Sequence, residues 1–336
     1  MEVIKKEKKF FTPILLIAFN RPDTTRIVFS SIKKIKPRKL YVSFDGPREG
    51  KESDIENCKK TKHILEEVDW DCDLHVLERE ENLGVDAAAS EAITWLFDNE
   101  ETGIILEDDC LANESFFRYC EALLDKYKST KEVMCITGDN FQNGKQWDDF
   151  SYYFSIYNHC WGWATWRRAW RHYIDQNFIT EFETFKSEDR IKNITKDSAT
   201  SRYWMYIFEQ ISKGKIINWD YKWTFTCWNN GGLTCTPAVN LVSNIGFGDG
   251  AQHTIDSQNR LSNLPTKHIS FPLKHPQIIE ANTDADSHVA TFVFQTDRIL
   301  KQIVHKTLRR LGLLHLSRRA YTVARNSIRK LVNVLR

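Results

Sequence analysis

The stretch GIILEDD at residues 103–109 decides how this chain folds. It opens as an unbroken apolar run, the pattern of a strand buried on both faces, and passes directly into Glu107, Asp108 and Asp109. The same pattern recurs upstream. Residues 13–19 (PILLIAF) form a second apolar run, broken by Asn20, Arg21 and Pro22, and Asp23 or a neighbour is placed to cap a helix reaching about residue 35. Further strands are expected over residues 40–44, ending at Asp45-Gly46, and over 73–77, with helices over 52–68 and 86–97. Downstream, a helix over 114–127 and a strand over 133–137 complete the series. This alternation implies an α/β fold with a mostly parallel central sheet and helices on both faces. Ligands of such sheets bind beyond the carboxyl ends of the strands. Arg21, Asp45, Glu107, Asp108 and Asp109 all fall there.

The part from 151 to 255 is different. It is rich in tryptophan (161, 163, 166, 170, 204, 219, 223 and 228), with helical patterns near 165–173 and 198–213 and loops rich in Gly and Asn at 229–232 and 244–250. Residues 256–296 read as a connecting segment, with prolines at 265, 272 and 276. Residues 297–336 carry eleven Lys and Arg against one acid, Asp297, with Ile299, Leu300, Ile303, Val304, Leu308 and Leu311 at helical spacing. Such a basic amphipathic tail suits an anionic membrane surface, or docking on the domain or on a second subunit.

The 336 residues are 41% apolar and 27% charged, which excludes a disordered chain, and a net charge of +2 argues against a general polyanion binder. Nucleic-acid binding has only the basic tail in its favour. None of the eight cysteines forms a C-x-x-C pair, so zinc-ribbon and thioredoxin readings are weak. No signal-type stretch and no run of about 18 apolar residues occurs, so a cytosolic protein with reduced thiols is expected.

Three consecutive acids at a strand end repel one another and invite a cation. Hard divalent ions such as Mg²⁺ or Mn²⁺ are often held by one or two carboxylates, with water and phosphate oxygens completing the shell. The alternative is a set of acids decorating a helix N-terminus.

The segments PILLIAFNRP, VSFDG and GIILEDDCLANESFFRYCEALL, followed by ITGDNFQNG, WGWATW and NWDYKW, resemble the N-acetylglucosaminyltransferase I family and its bacterial sugar-nucleotide transferase relatives over about residues 12–255. The resemblance implies a GT-A-type fold. Residues 1–150 would be its nucleotide-sugar and metal half and 151–255 its acceptor half, within a catalytic domain spanning 1–255. It further implies a metal-dependent, inverting transfer from a UDP-sugar to a glycan or glycolipid hydroxyl in surface polysaccharide assembly, on the inner membrane face. On the family's pattern Arg21 and Asp45 approach the uridine part of the donor, Asp108 the ribose, Glu107 the sugar, and Asp109 ligates Mn²⁺ or Mg²⁺. Trp161, Gly162 and Trp163 lie where the family floors its sugar pocket, with Trp163 the candidate to stack on the sugar, and His253 lies in GAQHT, a loop that could fold over the diphosphate. The family's base belongs to a W-D-D-W segment; here Trp219-Asp220-Tyr221-Lys222-Trp223 keeps one acid, so Asp220 is the candidate, with Asp139, Glu209 and Asp249 as rivals.

Each residue also has an ordinary structural role open to it. For Arg21 this is a salt bridge at the start of the helix, for Asp45 a D-G turn, for Asp220 a helix cap, for Trp163 the core and for His253 the surface. Two other functions compete. A sugar-phosphate nucleotidylyltransferase wants a glycine-rich phosphate loop where this chain has Asn20-Arg21-Pro22. A catalytically degenerate glycan-binding protein would keep the fold without the chemistry.

Overall fold

The computed structural model describes residues 9–174, 177–247 and 260–296. His253, Asp249 and the basic segment 297–336 lie outside the described residues. In chain order the elements are β1 (Ile14–Ala18), α1 (Pro22–Ile35), β2 (Lys39–Phe44), α2 (Glu52–Lys62), β3 (Asp73–Glu78), α3 (Gly84–Asn99), β4 (Thr102–Glu107), β5 (Cys110–Ala112), α4 (Glu114–Lys126), β6 (Val133–Thr137), β7 (Tyr152–Ser155) and β8 (Trp163–Trp166). There follow α5 (Arg167–Trp170), α6 (Phe178–Ser187), α7 (Ile191–Ile194), α8 (Ser198–Ser212), α9 (Trp219–Asn229), β9 (Leu233–Pro237), β10 (Val242–Asn244) and α10 (Thr283–Phe292).

Eight strands form one sheet in the order β3-β2-β1-β4-β8-β6-β9-β7, and β5 pairs with β10 in a small second sheet. The four strands β3, β2, β1 and β4 are parallel neighbours, whereas β8 runs antiparallel to both β4 and β6. This is the mostly parallel, helix-flanked α/β sheet expected from the alternation of apolar runs and helices.

Side-chain parity sorts the strands into two cores. Ile14 and Leu16 of β1, Val42 of β2 and Leu106 of β4 pack with α1 and α4, while Leu15, Tyr41 and Ile105 pack on the opposite face with α3, α8 and α9. Successive residues of a strand point to opposite faces, so a strand covered on both sides must be apolar at every position. That is why residues 13–19 and 103–106 are unbroken apolar runs.

The same parity corrects two expectations. Residues 163–166 form a strand, not the start of a helix, and only the four residues of α5 are helical in the 165–173 window. A buried antiparallel strand is as apolar as a buried helix, so composition alone does not separate them. Trp163 on this strand is 0% exposed and lies among Trp170, Trp219 and Trp223, at ring-centroid distances of 6.1, 5.8 and 5.9 Å. It is core, not the floor of a sugar pocket.

Helix α1 begins at Pro22, with Arg21 in the capping position and no side-chain cap. Proline presets the first helical φ and lacks the amide hydrogen that a cap would satisfy, so Asp23 falls in the first turn instead. The described part of the expected connecting segment, residues 260–296, is packed against the domain. Ile269 and Leu273 enter the first core, the Ile269 amide donates to Ser115 Oγ at 3.2 Å, and α10 buries Ala285 and Val289.

A Trp163→Ala substitution leaves a cavity between the sheet and α9. The expected cost is about 3–5 kcal/mol of stability, read from the urea unfolding midpoint. Unchanged stability with weakened ligand binding would return Trp163 to the pocket.

Candidate functional site

At the carboxyl ends of the parallel strands lies a cavity of about 200 Å³. The strand pairing builds it. Ile17 is opposite Glu107 and Ala18 is opposite Phe44, so the residues that follow β1, β2 and β4 emerge side by side. Arg21, Asp45, Glu107, Asp108 and Asp109 line the cavity together, with Asp220 and Trp219 from the first turn of α9 on another wall. The segment 17–20, three residues of α3 (Val85, Ala88 and Ala89), Cys160, Trp161, Asn218 and Asn244 complete it. Of the sequence-selected residues, Trp163 does not line the cavity.

Arg21 is the cation at the acid cluster. Its Nη1 lies 3.0 Å from Asp109 Oδ2, and its Nη2 donates to Asp108 Oδ1. Asp108 also accepts from the Phe19 amide at 3.2 Å. Burial disfavours the Arg21 charge, but Asp108 and Asp109 more than offset this and hold the guanidinium protonated well above its ordinary range. Burial pushes Asp108 upward while Arg21 opposes the shift. The forked contact and the Phe19 amide both donate to it, so the ionised form fits the geometry better. Glu107 has no such partner. Burial, then the charges of Asp109 and Asp108, raise its carboxyl to about 8.

Asp45 is positioned by its surroundings. Oδ1 accepts from the Gly46 and Leu83 amides, both at 3.0 Å, and Oδ2 accepts from Asn82 Nδ2 at 2.8 Å. Gly46 must be glycine, because a Cβ there would come within 2.5 Å of the Glu81 backbone. Gly84, at φ +77°, makes the turn into α3. Asp45 thus pins the loop over residues 82–84 to the end of β2.

Asn218, not Asp220, caps α9. Its side chain accepts from the Asp220 amide at 2.9 Å. Asp220 is left with a buried Oδ1 that has no hydrogen-bond partner. Burial raises its carboxyl to about 7; the Tyr221 amide opposes the shift and Asp86 adds to it. The rivals for its role fare differently. Asp139 is fully buried and serves structure, its Oδ2 accepting from the Trp161 amide at 3.0 Å, and Glu209 pairs with Lys213 on α8. Neither lines the cavity.

The donor set around Asp109 is all oxygen, which suits Mg²⁺ or Mn²⁺. Among the described residues no group of three His, Cys, Asp or Glu side chains is close enough to hold a metal alone. A hard cation held by one carboxylate and completed by phosphate oxygens and water needs no such group. Only glycine fits beside this acid at position 246, where a Cβ would stand 2.2 Å from Asp109 Oδ2. The approach of this backbone is fixed by the Ile245 amide, which donates to the Asp109 carbonyl at 2.9 Å, continuing the β5–β10 pairing.

Asn218, Cys160, Asn244 and Gly246 escaped the sequence reading. Asn218 had a usable signal, an Asn directly before a helix. Gly246 had none, since only the three-residue pairing of β10 with β5 brings it to the acids.

No protein-family model matches the chain, and no curated protein matches it. Among solved structures it is similar to a mannosyltransferase from Pyrobaculum calidifontis in complex with GDP-mannose and Mn²⁺, with 10% identity, TM-score 0.35 and coverage of 67% of this chain and 70% of that one. It is also similar to 4-diphosphocytidyl-2C-methyl-D-erythritol synthase from Anaerococcus prevotii (10% identity, TM-score 0.30, 53% and 76% covered). A third is HddC from Yersinia pseudotuberculosis (9% identity, TM-score 0.28, 47% and 78% covered).

Behind the acid cluster, Asp54 holds the rim. It accepts from Asn20 Nδ2 at 2.7 Å and from Arg48 Nε at 2.6 Å, and these bonds depress its carboxyl to about 2. A depressed folded value gives stability that is present above the unfolded value, about 3.9, and is lost as pH falls through the folded one. Asp54→Asn is therefore expected to cost about 1–2 kcal/mol at pH 7. The difference from wild type should shrink between about pH 5 and pH 2 in urea titrations; a difference independent of pH would remove the ion pair as its cause.

Proposed function

We propose that this chain is a metal-dependent, inverting glycosyltransferase that uses a UDP-sugar, with UDP-N-acetylglucosamine the first donor to test, and a glycan or glycolipid hydroxyl as acceptor. The observation that carries this reading is the convergence of Asp220 with Arg21, Glu107, Asp108 and Asp109 on one cavity, across more than a hundred residues of sequence. A transferase of this kind needs both halves: groups that hold a nucleoside diphosphate and a base aimed at the acceptor. The resemblance at residues 12–255 supplies the assignment of each.

In this reading the uridine and ribose lie against Arg21, Asp45 and Asp108, with the sugar beside Glu107. A divalent cation bound at Asp109 would neutralise the charge that builds on the departing diphosphate. The acceptor oxygen attacks the anomeric carbon on the face opposite the diphosphate. The new glycosidic bond forms as the carbon–phosphate-oxygen bond breaks, and the hydroxyl proton passes to Asp220. A carboxyl raised to about 7 is a stronger base than a free one, and Asp220 lines the cavity in which the acceptor would sit. Glu107, whose carboxyl burial and the charges of Asp109 and Asp108 push upward, lies where it would meet the sugar. The basic segment 297–336 would hold the enzyme at an anionic membrane surface, near a glycolipid acceptor. Among the described residues no helix is long and apolar enough to cross a membrane.

A UDP-specific rise in melting temperature that requires Mn²⁺ is the expected first result, because a ligand of the folded state stabilises it by mass action. Asp109→Ala should abolish that rise; an undiminished shift removes Asp109 from the metal site. Asp220→Asn should keep the shift but lose transfer by about 10²–10⁴-fold. Wild-type turnover should rise with pH through about 7, since the base works only when ionised. Near-normal turnover in Asp220→Asn would pass the base role elsewhere. Absence of a shift with any nucleotide would favour a glycan-binding protein.

A further inference from the structure

We infer that Arg21 is a resident counter-ion of Asp108 and Asp109, and that metal and nucleoside diphosphate bind cooperatively because together they draw its guanidinium off the carboxylates. The inference rests on the proposed metal role of Asp109.

Asp109 has two oxygens in unequal positions. Oδ1 accepts from the Cys110 thiol at 3.3 Å, which leaves Oδ2 as the oxygen facing the cavity side. Arg21 Nη1 already holds Oδ2 at 3.0 Å. On the other side lies Gly246, where a Cβ would stand 2.2 Å from Oδ2 and 2.7 Å from Arg21 Nη1. A cation arriving at Oδ2 thus meets the guanidinium already bound there, with the Gly246 backbone close on the other side. The backbone is tied through the Ile245 amide to the Asp109 carbonyl, so the side chain is the part free to yield.

Arg21 is built for that movement. Its carbonyl accepts from the Thr25 amide at 3.0 Å and from Thr25 Oγ1 at 2.6 Å, which anchors its backbone to the first turn of α1. Its side chain is 26% exposed, on four rotatable bonds, at the cavity wall. Two cations contending for one carboxylate oppose each other's binding. A metal ion alone must break a forked, charge-assisted pair and leaves the guanidinium without an anion. A diphosphate arriving with the metal offers the guanidinium new oxygens of the geometry it favours. Each ligand thus lowers the cost of the other, and linkage makes the effect reciprocal. Before ligands arrive, the same pair keeps three adjacent acids compatible with a buried strand end.

The test is titration calorimetry of Mn²⁺ into the full chain, with and without UDP. Wild type is expected to bind Mn²⁺ weakly alone and more tightly with UDP. In Arg21→Gln the competing charge is gone, so Mn²⁺ alone should bind about tenfold tighter than to wild type, the size of one lost charge-assisted hydrogen bond. The gain conferred by UDP should shrink in the same variant. A purely structural arginine would not raise metal affinity on removal. Should Arg21→Gln fail to fold, Arg21→Lys, a point charge that cannot make the fork, carries the same test with a smaller gain. Metal affinity in the variant equal to or below wild type, while wild type binds Mn²⁺ with UDP, would overturn the counter-ion role and leave the proposed metal site standing. Absence of Mn²⁺ binding in either protein, with or without UDP, would overturn the metal site and this inference together.

Discussion

Three carboxylates at the end of a buried strand cannot all be charged without a cation beside them, and much of the site follows from that constraint. Asp108 and Asp109 meet it through the fork of Arg21. Glu107 has no counter-ion of its own, and burial raises its carboxyl. The neighbouring elements are placed accordingly. Pro22 starts α1 immediately after Arg21, β5 turns back directly after Asp109, and β10 pairs with β5 so that Gly246 closes on the pair from the far side. A side chain at 246, or a helix starting one residue later, would misplace the cation that makes the acid run tolerable.

The sheet makes this juxtaposition possible. Parallel pairing aligns the ends of β1, β2 and β4, so residues separated by decades in sequence become neighbours at one edge. The antiparallel strand β8 then brings the tryptophan-rich part of the chain against the same sheet. Its Trp163 faces the second core, where Trp219 and Trp223 of α9 stack around it. That packing fixes where α9 begins, and hence where Asp220 enters the cavity. The tryptophans act mainly as a rigid mount for the acid, and Trp161 and Trp219 alone among them line the cavity.

Most of the parallel half was legible because β1, β2 and β4 are apolar runs that end in unusual polar residues, whereas β3 at the edge shows only an alternating pattern. Residues 14–18 and 102–107 could hardly be anything but strands covered on both faces. The acids, Arg21 and Asp45 stand out by their position at strand ends, Asp220 only through the resemblance, and all line one cavity. The second half was less legible for physical reasons. Residues 163–166 (WATW) are buried at every position and show no alternation of apolar and polar faces, a pattern that suits a buried strand and a buried helix equally. The pairing of β5 with β10 involves three residues on each side, too short to leave a periodic signal. The resemblance puts both Trp161 and Trp163 at the sugar pocket with the core open to Trp163 as well; Trp161 lines the cavity and Trp163 is core, since motif order does not reveal which face a residue occupies.

Asp220 illustrates how one short motif divides its work. In Asn218-Trp219-Asp220, Asn218 caps the helix, Trp219 anchors it to Trp163, and Asp220 is relieved of both duties. A capping aspartate would accept backbone amides, which favour its ionised form and weaken it as a base. Because Asn218 takes the cap, the Asp220 carboxyl keeps an oxygen without a partner in a dry wall, where burial strengthens its hold on a proton. Were the order of these two residues exchanged, the helix would keep its cap and the cavity would lose this carboxyl. The stability of α9 does not require the Asp220 carboxyl, because Asn218 alone supplies the cap.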